Sequence, residues 1–157
     1  MSDIPTREVL TNGDRRTTIE RTNPPTDGVI SDAVLTVFDV FDDAISPANY
    51  DKADGAPLRV LASAAAKLDV SKRNVEDMGF WHRSIDHDEV IICVRGKLRW
   101  ETEIGTRVLT PGQVLLIPRG VAHRSALTQD SEGDNVLIEL KVAGDLEYVG
   151  PPEARLG

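Results

Sequence analysis

Seven short β-rich runs follow one another between residues 79 and 142, and no other feature constrains the fold more tightly. They lie at 79–84, 89–94, 98–103, 107–109, 113–117, 121–127 and 136–142. Turn chemistry separates them, at Asp86, Gly96, Gly105, Pro111-Gly112, Pro118, Gly120 and Glu132-Gly133-Asp134. Glycine and proline supply reversals that an α-helix does not tolerate. Many short strands with close turns predict an all-β sandwich or barrel.

The rest of the chain frames that block. Residues 1–28 are polar and interrupted by Pro5, Pro24 and Pro25, so they read as an irregular N-terminal arm. The main domain is expected over 29–143, opening with a strand or two in 29–41, then a loop over 42–57 and a strand over 58–63. Residues 64–70 fit helix or strand equally. The tail, 144–157, carries Pro151 and Pro152 and is expected to be only partly ordered. At 157 residues the chain can bury a core without disulfide staples, and its single Cys93 fits a reducing compartment. The first thirty residues hold no apolar run behind basic residues, and no run reaches the roughly 20 apolar residues of a membrane helix. A cytoplasmic location with no membrane partner is the expectation.

A net charge of −8 speaks against nucleic acid as a partner, since phosphates demand clustered cations. Between Trp81 and Arg124, however, seven basic residues stand against five acidic ones. That balance suits a small anionic substrate; it equally suits mixed charge on exposed strand faces. The run Val90-Ile91-Ile92-Cys93-Val94 is apolar at every position, where a half-exposed antiparallel strand would alternate. Its second face must meet either the N-terminal strands or another subunit, and a homodimer is expected.

All three histidines fall within 42 positions. A turn at Ile85-Asp86-His87 brings His82 opposite Glu89, and the turn through Pro118 and Gly120 opens a strand that carries His123. Two neutral imidazoles and a carboxylate hold a first-row divalent metal on one face and leave positions open. The same residues sit in two spaced motifs. His82-Arg83-Ser84, Glu89 and Gly96 follow the pattern G-x5-H-x-H-x(3,4)-E-x6-G, while Gly112, Pro118-Arg119-Gly120 and His123 follow G-x5-P-x-G-x2-H-x3-N. In these points the chain resembles the cupin superfamily. The resemblance implies a single-domain, jelly-roll-like double-stranded β-barrel with an N-terminal extension, and one metal ion on His82, Glu89 and His123.

Three positions depart from the pattern. Ser84 replaces the second histidine, Leu127 the asparagine, and Glu76 the opening glycine, although Gly79 is near. The alternative implied by Ser84 is a degenerate barrel without metal. Residues Phe80-Trp81-His82-Arg83-Ser84, Glu89 and Arg95-Gly96 are similar to the iron-binding segment of homogentisate-type ring-cleaving dioxygenases. That likeness implies Fe(II), with Mn(II), Ni(II) or Zn(II) as other candidates, and oxygenation of a small aromatic or oxygen-chelating acid. A metal-dependent isomerase, lyase or decarboxylase uses the same ligand set, and so does a non-enzymatic small-ligand binder.

His87, two residues before Glu89, has three readings: a fourth ligand, a proton carrier, or a solvent-facing turn residue. Cys93 reads as packing. Arg83 should point away from the metal toward an interface. Arg95, Arg99 and Arg119 are candidate carboxylate anchors. Trp81 and Trp100 are expected in the outer layer.

Overall fold

The computed structural model describes residues 6–21, 34–74, 77–131 and 133–157. Expectations placed on 1–5, 22–33, Glu76 and Glu132 fall outside them. Met1–Val37 and Phe38–Gly157 form two compact units. The first carries a hairpin where irregular chain was expected: β1 (Thr6–Asn12) pairs antiparallel with β2 (Arg15–Arg21). Gly13, at φ 57°, opens its two-residue turn. Its strands are mostly polar, so no apolar face announces them. Residues 34–41 form no strand, contrary to expectation. Val34, Leu35 and Val37 are almost wholly exposed, and β-propensity without a pairing partner does not make a strand.

The second unit supplies β3 (Leu58–Ala62), β4 (Ala66–Arg73), β5 (Asp88–Arg95), β6 (Leu98–Thr102), β7 (Gly105–Leu109), β8 (Val114–Ile117), β9 (His123–Leu127) and β10 (Asn135–Val142). Of the seven expected runs, six become strands. The run at 79–84 does not; it keeps one isolated bridge, His82 to His123. The ambiguous stretch at 64–70 resolves as a bend at 64–65 and strand from Ala66, because β3 and β10 flank β4 on both edges.

A five-stranded sheet has the order β3-β4-β10-β5-β8, and a three-stranded sheet the order β7-β6-β9. The architecture is therefore all-β and antiparallel, but the two sheets do not join into one closed ladder among the described residues. They pack on each other through Ile91 and Cys93 of β5, Leu98 and Trp100 of β6, Leu109, Ile117 and Leu137. Ile91 and Leu137 have no exposed surface, and burying each such side chain contributes roughly 1.5–3 kcal/mol.

Register decides what else faces inward. Leu137 pairs with Ser71 and Cys93, Glu139 with Asp69 and Ile91, and Lys141 with Glu89. Paired residues share a face, so a polar half of the sheet continues the apolar one. On the outer face Val90, Ile92 and Val94 are half-buried within the single chain. Trp100 is 3% exposed and belongs to the core, which corrects its expected outer placement. It lies on the inward face of β6, two residues after Leu98. Gly96 ends β5 at φ 89°, and a Cβ there would collide with the Asn135 side chain. Among the described residues no helix is long and apolar enough to cross a membrane.

Candidate metal centre

Backbone hydrogen bonds bring the two motifs together before any side chain acts. The His82 N–H donates to the His123 carbonyl at 3.1 Å, and the His123 N–H returns to His82 at 2.8 Å. Such a reciprocal pair places both side chains on one face. Their rings stand edge to face, 4.3 Å between centroids. One turn further, the Gly120 N–H donates to the Ser84 carbonyl, so the residue in the second histidine's place holds the next turn by its backbone. Gly120 itself sits at φ 83°, which suits the turn before β9.

His123 is oriented from behind. Its Nδ1 lies 2.9 Å from the Val121 carbonyl, which can only accept, so Nδ1 carries a proton and Nε2 is the atom that holds the lone pair whenever the ring is neutral. That arrangement is the one in which imidazoles bind metals. Nε2 is buried without a hydrogen bond among the described residues, 3.3 Å from Glu89 Oε2. His82 Nδ1 is a second buried ring nitrogen without a partner. Glu89, 6% exposed, reaches inward from β5.

Charge states follow from this crowding. Burial alone would raise the Glu89 carboxyl, but the adjoining His123 and Lys141 outweigh it and hold it below the ordinary range. Burial pulls His123 down, yet the Glu89 carboxylate and the Val121 carbonyl push it above its usual value. His82 is lowered by burial first and by His123 second. Without an ion, a proton on His123 is the positive charge that Glu89 draws in.

Two imidazoles beside a buried carboxylate fit a divalent cation in donor chemistry. The donors lie near one another but do not converge on one point: among the described residues, no group of three or more His, Cys, Asp or Glu side chains is arranged to hold a metal ion. His87 sits at the rim. Its Nδ1 is 2.7 Å from Asp86 Oδ1 and its Nε2 3.5 Å from Glu89 Oε1.

These groups line a cavity of about 450 Å³ together with Met78, Phe80 and Trp100. The arginines expected to anchor a carboxylate are engaged elsewhere. Arg95 lies over the Phe41 ring, Arg99 pairs with Glu101, and Arg119 pairs with Asp145. Arg83 contacts Glu103 at 3.7 Å and stands half-exposed at the cavity mouth. Cys93 packs in the core with its thiol pushed up by burial. Two cavity-lining cations were missed, Arg73 and Lys141. The signal was there: Lys67, Asp69, Ser71 and Arg73 alternate along β4, as Glu139 and Lys141 do on β10. Lys141 donates to Asp69 at 2.8 Å. Burial would lower its amine, but Glu139, Asp69 and Glu89 together raise it, so it stays charged.

Residues 50–151 match the family described as homogentisate 1,2-dioxygenase N-terminal. Among solved structures, a candidate mannose-6-phosphate isomerase from Ralstonia eutropha JMP134 is 23% identical. That match covers 70% of this chain and 100% of the other, with a TM-score of 0.56. A cupin protein from Bacteroides fragilis is 21% identical over 60% of this chain and 84% of its own, at 0.49. A cupin-2 domain protein from Shewanella frigidimarina NCIMB 400 is 22% identical over 55% and 79%, at 0.46. No curated protein matches the chain.

Proposed function

We propose, from the premise that this chain belongs to the homogentisate 1,2-dioxygenase N-terminal family and has a cupin fold, that it is an Fe(II)-dependent dioxygenase. Its substrate is a small aromatic or oxygen-chelating acid. The observation that carries this reading is the meeting of the His82 and His123 imidazoles and the buried Glu89 carboxylate in one cavity, with His82 Nδ1 buried without a partner among the described residues and His123 Nε2 3.3 Å from Glu89. His82, Glu89 and His123 would hold the metal. Iron(II), when bound, supplies a centre that keeps a chelating acid and dioxygen together and makes a bound hydroxyl more acidic.

The chain's own residues do the rest. The Val121 carbonyl holds His123 by Nδ1, so that Nε2 lies on the Glu89 side of the ring. Trp100 and Phe80 flank the two imidazoles, at 6.1 Å from His123 and 5.7 Å from His82, and limit water there. His87 bridges Asp86 at the rim and Glu89 within, so it is placed to pass a proton between solvent and a ligand. The homodimer contact is assigned to the outer face of β5, where an apolar row stays half-exposed.

The test is aerobic incubation of Fe(II)-loaded protein with catecholic and gentisate-like acids, read by an oxygen electrode. Oxygen uptake that disappears in Glu89→Ala is expected. No uptake across the panel, with iron bound stoichiometrically, defeats the proposal. Turnover that persists under argon instead favours an isomerase, lyase or decarboxylase. For the assembly, Ile92→Glu is expected to sediment as a monomer where the native chain sediments as a dimer.

A further inference from the structure

We infer that Trp100 is a specificity-determining residue of the cavity: its indole N–H donates to an oxygen of the bound ligand. The site then takes a flat ring that carries a hydrogen-bond acceptor on the side facing β6 and β9. The inference rests on the metal-site reading and names a ligand feature that His82, Glu89 and His123 do not select.

Trp100 sits on β6 opposite Ser125 of β9, one step along the same face from the pair Thr102 and His123. Trp100 and His123 are the cavity-lining residues that the three-stranded sheet supplies. Their rings lie 6.1 Å apart between centroids, tilted by 48°. Trp100 is 3% exposed, and its Nε1 is buried with no hydrogen-bond partner among the described residues. An indole N–H can only donate, and a buried one ordinarily finds an acceptor. The polar side chain opposite it in register does not serve. Ser125 is also buried, its Oγ pairs with nothing among the described residues, and its carbonyl accepts from the Met78 N–H at 3.1 Å. The donor is therefore costly unless an acceptor arrives from outside the chain.

The carboxylates of the cavity's other sheet are engaged. Glu89 lies 3.3 Å from His123 Nε2, while Glu139 accepts from Ser71 and stands 3.7 Å from Lys141. The space of about 450 Å³ admits a small ring, with Met78 and Phe80 extending the apolar side beside Trp100. A neutral donor in such a place reads the presence of an acceptor rather than its charge, because an analogue without one leaves the N–H unpaired.

Nuclear magnetic resonance of the Zn(II)-loaded full chain, with nitrogen-labelled tryptophan, tests this. The chain has two tryptophans, so Trp81→Phe leaves Trp100 as the single indole signal. Gentisate and catechol are the probes; catechol has ring oxygens and no carboxylate. The indole N–H proton is expected to move downfield, and to exchange more slowly with solvent, as either probe is added. Trp100→Phe should weaken gentisate about three- to tenfold in a calorimetric titration, with zinc content unchanged. An indole signal that stays in place or moves upfield with both probes overturns the inference, and so does unchanged affinity in Trp100→Phe. If that variant fails to fold, the indole signal of the Trp81→Phe protein decides alone. If the chain takes up no zinc, the metal reading fails by itself. The same titration of metal-free protein then judges Trp100: a downfield shift supports its role, and an unmoved signal overturns it.

Discussion

The interior has two halves built from the same strands. Toward the C-terminal end of β5 it is apolar, with Ile91, Cys93 and Leu137 closed against Leu98 and Leu109. Toward the other end, residues on the same inward face are Glu89, Glu139, Lys141 and Asp69, joined by His123 from the second sheet. One step of two residues along β5, from Ile91 to Glu89, crosses from core to site. Alternation sets which side of a strand is inside; residue type alone sets whether that inside is a core or a reaction vessel. The apolar half therefore carries stability, and the polar half can change without unfolding the sheets.

The sharpest way to break this division is Leu137→Ala. It opens a hole where no surface is exposed and should cost about 2–5 kcal/mol, read as a lower urea midpoint with little change in slope. Next comes His123→Ala, which should reduce metal affinity on the order of 10–100-fold or more while the fold persists, read by elemental analysis beside circular dichroism. If this variant unfolds, the halves are not separable; if its metal content is unchanged, the ligand is another residue. The smallest effect is expected at Asp69. Burial would raise its carboxyl, but Arg59 and Lys141 hold it below the ordinary aspartate range. A depressed group adds stability that is complete above its unfolded value and is lost as pH falls through its folded value. Asp69→Asn should therefore lower the melting temperature most at neutral pH and least in acid, which flattens the acid limb of the profile.

The two halves were not equally legible. Strands of the second unit were readable because glycine, proline and aspartate mark their ends, and the motif spacing brought His82, Glu89 and His123 forward as candidates. The polar wall of β4 and β10 escaped notice because Arg73 and Lys141 belong to no motif. Their inward direction depends on register against β5, which only pairing decides. The basic residues that looked available, Arg95, Arg99 and Arg119, turned out to be held by Phe41, Glu101 and Asp145. The β1–β2 hairpin was missed for a related reason: polar strands show no hydrophobic period to detect.

An isolated bridge ties His82 to His123. His82 belongs to no strand, and the same short segment forms the lip of the cavity with Phe80, Arg83 and Ile85. A movement that widens the mouth pulls an imidazole away from its companion. On the proposed metal-site reading, admission of a guest and grip on a cation would be one linked equilibrium, and a guest that settled the lip shut would tighten the cation by the same factor that the cation tightens the guest.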